Sequence, residues 1–474
     1  RPPCNHNLMP VATFSVYSST RGYNLLPFSQ GGAVLGCVHI VYSFLLSNYY
    51  TSRLSINDNI QYKSQKNHFK WGKPTSIQKS ALKKYIDKDG DMSIYGDTGI
   101  YERLESWLAD YYKQKYVILT NTGTSSLNSG YVGLGIARGD EVIVPTYTFL
   151  ATVTPLLRLG AIPVFADADP VTGGISPKDI EEKITPKTKA IAVTYMWGVA
   201  CDMESIMYIA QKNNLRVLED CSHAHFTKYN QKLLGTFGDV ACFSIGAKKT
   251  LTSGEGGFMM TNDPEVYSRA TLLGHFEVRA SESMERVNSD GFGGIYTKYK
   301  DFCTGFGENY RMHPYSAVMA YSLLSSGKIF DLIEKRGQSL RYFSERLKEL
   351  SIITAPVVHK EYFEGAMYGY KCKFSRELLS TSLDETINIL RNHNMEIKTP
   401  DSTPLHEKPL FLELDSLNIG YDQPVISKGV FSGVKEYFNG RVSLPTFSRG
   451  LADDKPLIDE YIRCLQDFEH KYKK

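Results

Sequence analysis

The fold of this chain is indicated most clearly by residues 116–145, which read YVILTNTGTSSLNSGYVGLGIARGDEVIVP. An apolar run over residues 116–120 leads into a polar turn, a helical segment from Thr124 and a second apolar run over residues 141–145. Short apolar runs separated by a segment of helical length are typical of parallel strands joined by a crossover helix. The stretch therefore predicts a strand–helix–strand unit.

The alternation continues on both sides of this unit. Upstream, apolar residues recur at helical spacing between Ile100 and Tyr111. Downstream, the sequence predicts a helix from Phe149, strands over 162–167 and 189–194, a helix from Met203, a strand over 215–220, strands over 240–245 and 257–261, and a helix capped by Asp263 with Pro264 at its first position. Such alternation builds an α/β fold with a mainly parallel sheet that helices cover on both faces.

The pattern changes in the last third of the chain. A long helix is predicted over residues 329–350, and an α+β mixture of short strands and helices follows it. The chain therefore divides into three predicted parts: an N-terminal extension over residues 1–75 that is disordered or artefactual, a large domain over residues 76–324, and a smaller C-terminal α+β domain over residues 325–474.

The bulk composition argues against several classes of function. The chain has 474 residues, and its 54 Lys and Arg nearly balance its 51 Asp and Glu. A net charge of +3 creates no broad basic field, so the sequence predicts no nucleic-acid partner. The eight cysteines are scattered without a Cys-x-x-Cys pair, which favours reduced thiols in the cytoplasm, and we predict no metal site.

An uncharged segment over residues 22–52 raises the question of a membrane role. Its apolar core, residues 31–46, is shorter than the roughly 20 residues that a spanning helix requires. No small-residue cleavage site follows it, as a signal peptide would require. The segment is therefore interpreted as part of the N-terminal extension. A regulatory or membrane-associated protein that keeps the fold without catalysis is the alternative.

Candidate ligand-binding groups follow the predicted strands, at the ends where open α/β sheets bind ligands. The segment 121–126 (Asn-Thr-Gly-Thr-Ser-Ser) follows the first strand and opens a helix. The backbone amides of Gly123, Thr124 and Ser125 can therefore face a phosphate. Phe149 follows the next strand and can cover one face of a planar ring. The alternatives are a helix cap for the segment and a core position for Phe149.

A second group of candidates lies further along the chain. Asp220 ends a strand and is placed to keep a heteroaromatic nitrogen protonated, with helix capping as its alternative. His223 can donate a hydrogen bond to a phenolic oxygen, and Ser244 can add a hydroxyl to the phosphate site. Lys249 lies five residues after Ser244, just before a glycine-rich turn. A desolvated lysine held there is nucleophilic toward an aldehyde, and a solvated turn is the alternative.

Together these candidates meet the requirements of one cofactor. Phosphate donors, a stacking ring, a carboxylate for a ring nitrogen and a lysine for an aldehyde are what pyridoxal phosphate (PLP) requires. The protonated pyridine withdraws electrons from the α-carbon of an amino acid. The lysine, once a substrate amine has displaced it, is placed to act as the general base at that carbon. The sequence therefore predicts a PLP enzyme with Lys249 as its catalytic residue.

Seven short segments of the chain match a known family: 121–127 (NTGTSSL), 139–145 (GDEVIVP), 219–220 (ED), 237–239 (FGD), 254–257 (GEGG), 309–311 (NYR) and 441–445 (RVSLP). Through them the chain, from about Tyr95 to its C-terminus, resembles the DegT/StrS family of sugar aminotransferases. The resemblance implies the aspartate aminotransferase fold (PLP fold type I). It also implies a homodimer in which each subunit completes the other's site.

The resemblance implies roles for individual residues. In the family, the lysine bonded to the cofactor lies five residues after the serine of a Cys-Phe-Ser segment, which selects Lys249 over Lys248. The other implied assignments are phosphate binding by Thr124, Ser125 and Ser244, ring stacking by Phe149, contact with the pyridine nitrogen by Asp220, and contact with the phenolic-oxygen side by His223.

One departure from the family pattern concerns the partner subunit. Many members have Leu-Leu-Arg-Asn-His-Gly, with an asparagine that binds the partner's phosphate, whereas residues 272–277 here read LLGHFE. His275 is the candidate for that role. The segment 277–308, rich in glycine and aromatic residues, is interpreted as a long loop near the site. The candidates for the acceptor pocket are Asp97, Thr98 and Tyr310.

The activity predicted from these residues and the resemblance is transamination. The amino group moves from glutamate or glutamine to a keto-sugar, often nucleotide-linked, or to a keto-cyclitol in polysaccharide or antibiotic biosynthesis. A sugar dehydratase or other lyase on the same fold is the alternative enzyme. Related dehydratases carry histidine in place of the lysine, so Lys249 favours transamination.

Overall fold

The computed structural model describes residues 73–90, 92, 99–275, 308–356, 365, 367–400, 402–414, 420–422, 424, 425, 427 and 429–474. These residues belong to one compact unit that extends from Ser64 to Lys474. Asp97, Thr98, nearly all of the N-terminal extension and the segment 277–307 lie outside the described residues. None of the described helices has an apolar stretch long enough to cross a membrane.

Helices and strands alternate through most of the described chain. The helices are α1 (Ser76–Asp87), α2 (Ile100–Tyr112), α3 (Gly123–Gly133), α4 (Thr154–Leu159), α5 (Pro177–Glu182), α6 (Met203–Lys212), α7 (Pro264–Gly274), α8 (Pro314–Ser325), α9 (Lys328–Leu347), α10 (Leu383–Asn392), α11 (Pro409–Leu412), α12 (Ser432–Phe438) and α13 (Leu451–Tyr472). The strands are β1 (Tyr116–Thr120), β2 (Glu141–Pro145), β3 (Ile162–Ala166), β4 (Thr188–Thr194), β5 (Arg216–Asp220), β6 (Lys228–Tyr229), β7 (Lys232–Leu233), β8 (Val240–Ser244), β9 (Gly257–Thr261), β10 (Ile353–Thr354), β11 (Tyr370–Phe374) and β12 (Arg441–Leu444).

A seven-stranded sheet in the order β1-β9-β8-β5-β4-β2-β3 forms the centre of the large part. Only β9 runs against the others, since it pairs antiparallel with both β1 and β8. Both faces of the sheet are buried, because Val142 and Val144 belong to one apolar cluster while Ile143, between them, belongs to another. The predicted α/β fold with a mainly parallel sheet is confirmed.

Local sequence explains where several helices begin. Asp263 caps α7 by accepting hydrogen bonds from two amides of its first turn, and Pro264 takes the first helical position, as predicted. The helical spacing predicted for α2 is confirmed by its buried residues, which include Ile100, Leu104 and Leu108. The prediction omitted α1, α5 and α8. In helix α1 only the polar Gln78 is fully buried, and Ala81 and Tyr85 pack against the core while partly exposed.

The C-terminal part contains a three-stranded antiparallel sheet, β10-β11-β12. This sheet, α9 and α13 enclose an apolar cluster of their own that includes Phe343 and Ile462. Leu405 and Val434, although late in the chain, pack instead in the cluster that covers the large sheet. The smaller α+β part therefore has its own core, while the boundary between residues 324 and 325 stays a prediction.

Two consecutive carboxylates end β5, and the first of them supports the fold. Glu219 is fully buried (0% exposed) and accepts hydrogen bonds from the backbone amides of Gly235, Phe237 and Gly238. The Tyr195 hydroxyl donates to the same carboxylate at 2.5 Å. Burial raises the pKa of the Glu219 carboxyl, and these hydrogen bonds oppose the shift. Glu219 thus fixes the segment that leads into β8.

Replacing Glu219 with alanine is expected to destabilise the protein severely. Glu219→Ala leaves buried amide groups without their acceptor, and each such loss costs about 1–3 kcal/mol, so we expect a total of at least about 3 kcal/mol. Urea denaturation followed by circular dichroism measures the change. The control is Glu181→Ala, which removes an exposed ion pair with Lys212 and is expected to cost less than about 1 kcal/mol. Equal midpoints for the two variants would contradict the structural role.

Candidate active site

The parallel strands place the candidate groups at one edge of the large sheet. Strands β1, β2, β4, β5 and β8 run in one direction, so their carboxyl ends meet at that edge. The predicted cofactor-binding residues lie at these ends or in the segments that follow them, from Thr124 after β1 to Lys249 after β8. Open α/β sheets bind ligands at this edge.

Two glycines bring the ends of three strands into contact. A Cβ atom at Gly123 would lie 2.4 Å from the Cβ of Ser244, so only glycine lets the start of α3 approach the end of β8 this closely. A Cβ at Gly257, the first residue of β9, would lie 2.5 Å from the carbonyl oxygen of Thr122. The N-terminus of α3 and the Ser244 side chain therefore line one small cradle.

The N-terminus of α3 combines a helix cap with a candidate anion site. Thr122 is the cap, and its side-chain oxygen accepts a hydrogen bond of 3.0 Å from the Ser125 amide. The Ser125 hydroxyl donates to the Asn121 side chain at 2.6 Å. Thr124 is exposed, and its amide and that of Gly123 belong to the first turn, where amides have no acceptor within the helix. This terminus can therefore cap itself and still offer donors to an anion.

Asp220 follows Glu219 in β5, and its carboxylate has different partners. It is buried, with 4% of its surface exposed. Its Oδ2 accepts a hydrogen bond of 2.7 Å from the Thr152 hydroxyl, and its Oδ1 accepts one of 3.1 Å from the Ser222 amide. These bonds fix the orientation of the carboxylate, whose negative charge acts on Lys249.

Lys249 and Lys248 differ in their surroundings. Lys248 is exposed, whereas Lys249 is half-buried, with its Nζ over the ring of Tyr368 and 5.0 Å from the ring centroid. Burial lowers the pKa of the Lys249 amine from its ordinary value, and the negative charge of Asp220 opposes this shift. An amine of lowered pKa is more often neutral at a given pH, and the neutral form is the nucleophile.

His223 lies in a stack of aromatic rings. Its ring is nearly parallel to that of Tyr368, with centroids 3.9 Å apart and 11° between the planes. The backbone amide of Trp197 donates to Nδ1 of His223 at 3.3 Å. Burial and the charge of Lys249 lower the pKa of His223 well below its ordinary value. The imidazole is therefore neutral with its proton on Nε2, which makes Nε2 a hydrogen-bond donor.

Trp197 and Tyr368 were not candidates in the sequence analysis. The indole N–H of Trp197 donates to the Tyr147 hydroxyl at 2.7 Å, and the Trp197 carbonyl accepts a bond of 2.9 Å from the Tyr368 amide. Trp197 has a φ of +60°, which is unusual for a residue with a side chain. Its place three residues after the end of β4 was an available signal. Tyr368 gave none, because it meets His223 only through the tertiary fold.

The remaining candidates have varied surroundings. Phe149 is 60% exposed, so the core alternative for it is wrong. Tyr310 is buried, and its carbonyl accepts a hydrogen bond of 2.7 Å from the Asn121 amide beside the α3 terminus. The Tyr310 amide donates to the Gly274 carbonyl at 3.1 Å, next to the buried His275 at the end of α7. Tyr310 therefore lies between the residue that precedes the α3 cap and the end of α7, where His275 is located.

The residues at this edge fit PLP. The cradle that Gly123 opens beside Ser244 suits a phosphate, the buried Asp220 suits a protonated ring nitrogen, and the lowered pKa of Lys249 suits attack on an aldehyde. A mainly parallel α/β sheet with a lysine in this position defines a class: the PLP-dependent enzymes with the aspartate aminotransferase fold.

Comparison with known proteins narrows this class to a family. Residues 85–422 match the DegT/DnrJ/EryC1/StrS aminotransferase family, and the chain belongs to it. GDP-perosamine synthase from Escherichia coli O157:H7 is 33% identical over 335 residues, which cover 70% of this chain and 84% of that protein. GDP-perosamine synthase from Vibrio cholerae is 29% identical over 81% of this chain and 95% of its own length. PLP is the cofactor of this family.

Solved structures agree with the fold. An aminotransferase from Psychrobacter cryohalolentis superimposes with a TM-score of 0.69 over 84% of this chain and 98% of its own, at 24% identity. A 3-amino-5-hydroxybenzoic acid synthase superimposes with a TM-score of 0.68 over 84% of this chain and 99% of its own, at 18% identity. At these identities the similarity shows the fold alone, and the aspartate aminotransferase architecture is confirmed.

Adding one methyl group at Gly123 is expected to weaken cofactor binding. In Gly123→Ala the new Cβ lies 2.4 Å from that of Ser244, so α3 must move away from β8. The displaced terminus is expected to lose a hydrogen bond to the charged phosphate, worth about 1.5–3 kcal/mol, or roughly 10- to 150-fold in the Kd for PLP. Titration of the apoprotein with PLP measures it. Gly337→Ala, which meets only the flexible end of Arg341, is the control, and a Kd as low in Gly123→Ala as in that control would contradict the cradle.

Proposed function

We propose that this chain moves an amino group from glutamate or glutamine to a keto-sugar, often nucleotide-linked, or to a keto-cyclitol. The observation that carries the proposal is Lys249, whose half-buried amine has a lowered pKa and lies within the electrostatic reach of Asp220. The relatives named GDP-perosamine synthase support a nucleotide-linked sugar as the acceptor.

The phosphate of the cofactor binds at the cradle beside α3 in this proposal. The amides of Gly123 and Thr124 donate to it at the positive end of the helix dipole, and the hydroxyls of Thr124, Ser125 and Ser244 complete the site. The ring of Phe149 is exposed, so a face of it is available to a planar ligand. Stacking on such a ligand would remove that face from water, which supports Phe149 as the stacking residue.

In this proposal a carboxylate would face the ring nitrogen of the cofactor, and a hydrogen-bond donor would face its phenolic oxygen. Bound PLP supplies an aldehyde and an electron-withdrawing pyridinium. Asp220, held by the Thr152 hydroxyl, keeps the proton on the ring nitrogen. His223 donates from Nε2 on the phenolic-oxygen side, since its Nδ1 already accepts a bond from Trp197. Lys249 would hold the cofactor through its aldehyde and, once free, would move the proton at the substrate's α-carbon.

The proposal also assigns residues to the acceptor pocket and to the partner subunit of a homodimer. Asp97, Thr98 and Tyr310 are proposed for the acceptor, and His275 for the partner's phosphate in a homodimer. The backbone of Tyr310 lies beside the α3 terminus, while its hydroxyl accepts a hydrogen bond of 2.5 Å from the Asn128 side chain. A dehydratase is not favoured, because curated relatives are named as synthases of an amino sugar or as aminotransferases.

Lys249 and Lys248 provide a matched pair for testing the catalytic assignment. Lys249→Ala is expected to lose the visible absorbance band of protein-bound PLP and to lower kcat by roughly 100- to 10,000-fold or more, because it removes both nucleophile and base. Lys248→Ala removes an exposed amine and is expected to change neither. Absorbance spectra and steady-state rates measure the two effects.

Peptide mapping provides an independent readout for the same pair. After borohydride reduction, wild-type protein and Lys248→Ala are expected to carry the cofactor on the peptide that contains residue 249. Cofactor found on Lys248 instead, or an unchanged absorbance band in Lys249→Ala, would refute the assignment.

The fate of nitrogen distinguishes transamination from elimination. With 15N-labelled glutamate or glutamine and a panel of nucleotide-linked keto-sugars and free keto-cyclitols, mass spectrometry is expected to find the label in the acceptor. The reaction is expected to consume one donor molecule for each aminated product. Loss of water from the acceptor without incorporation of 15N would support the dehydratase and exclude the proposed transfer.

A further inference from the structure

Tyr368 is placed where two functional side chains of the site meet. The ring of Tyr368 stacks on that of His223 with 3.9 Å between the centroids. The Nζ of Lys249 lies 5.0 Å from the centroid of the Tyr368 ring. The two contacts join residues of the large sheet to a residue that precedes β11 in the C-terminal part of the chain. A tyrosine ring thus borders the catalytic amine.

Backbone contacts fix the position of this ring. The amides of Tyr368 and Gly369 both donate to the carbonyl of Trp197, at 2.9 and 3.2 Å. A Cβ atom at Gly369 would lie 2.5 Å from Cε3 of Trp197, so glycine permits the close approach of the two segments. The indole ring lies 6.1 Å from the Tyr368 ring with 19° between the planes. Tyr368 therefore has little freedom to leave Lys249.

The chemistry of an aromatic face opposes the effect of burial on the amine. Removing an ammonium group from water disfavours its charged form, whereas the negative face of an aromatic ring within about 6 Å favours it. Lys249 must be neutral to attack an aldehyde or to accept a proton as a base, and it must then hold that proton until it is passed on. A ring beside the amine stabilises the protonated form without adding a second carboxylate.

We propose that Tyr368 is a positioning residue that holds the free, protonated amine of Lys249 against its ring face. The inference rests on the proposed role of Lys249 and adds a residue from the C-terminal part to that site. His223 is the other member of this stack. The same tyrosine therefore orients the imidazole that is proposed for the phenolic-oxygen side of the cofactor. The phenolic hydroxyl is not required for this role, but the aromatic face is.

Other titratable groups near Lys249 do not change in the variants that test this proposal. Asp220, at the end of β5, favours the protonated amine. His223 and His225 follow β5, and burial together with the charge of Lys249 lowers the pKa of both, that of His225 to about 3. The two histidines therefore add no positive charge at neutral pH. The charge of Lys371 acts on His223 and that of Arg336 on Tyr368, and both cations remain in every variant. Differences between substitutions at Tyr368 report on the ring itself.

The experiment measures the pKa of the Lys249 amine in the apoprotein. Trace acetylation over a range of pH, read by mass spectrometry of the peptide that contains Lys249, reports the neutral fraction of this amine. Tyr368→Leu keeps an apolar side chain but removes the ring face, so the midpoint is expected to fall by about half a pH unit or more. Tyr368→Phe is expected to keep the wild-type midpoint. Tyr208→Leu, at an exposed position on α6, is the control.

Two outcomes would overturn the proposal: an unchanged midpoint in Tyr368→Leu, or an equal shift in Tyr368→Phe. If Tyr368→Leu does not fold, a series of phenylalanine analogues with increasing fluorine content is placed at position 368 instead. Fluorine reduces the negative charge of the ring face with little change of shape. A midpoint that falls with fluorination supports the proposal, and a constant midpoint refutes it. The acetylation experiment does not involve PLP. Its result can therefore contradict the role of Tyr368 without contradicting the proposed bond between Lys249 and the cofactor, and the reverse is also possible.

Discussion

The alternation of side chains along β5 is the constraint on which the site depends. Glu219 and Asp220 are consecutive and must point to opposite faces of the sheet. The first carboxylate binds the amides of residues 235–238 and so fixes the approach to β8. The second meets the Thr152 hydroxyl and acts on Lys249. One strand thus sets both the frame that carries Lys249 and the charge that the lysine experiences.

The segment that carries Lys249 is held by contacts from distant parts of the chain. The Ser253 amide donates to the Ile245 carbonyl at 2.9 Å, which closes the segment into a loop. The buried Gln78 of α1 donates to the Thr252 carbonyl at 2.7 Å. Helix α1 therefore supports this segment through a buried polar side chain. Ala81 and Tyr85 of the same helix pack against the core.

The sequence predicted most of what depends on local pattern. The bounds of β2 were predicted to the residue and the start of α7 from its cap, because strand burial and helix capping depend on adjacent residues. Helix α1 was missed because its one buried side chain is polar. Choosing Lys249 over Lys248 required the family's spacing, and Tyr368 could not be found at all. Contacts between residues far apart in the chain leave no periodic signal.

The electrostatics of the site follow from a balance that no single residue sets. Burial lowers the pKa of Lys249 and favours the neutral amine, which can attack, while the charge of Asp220 favours the ammonium form, which holds a proton. His223, which could compete for the same negative charge, stays neutral because burial and the lysine itself lower its pKa. The ammonium form of Lys249 can then be stabilised by Asp220 and by the ring of Tyr368. These opposed influences suit a lysine that serves as nucleophile and as base in one cycle.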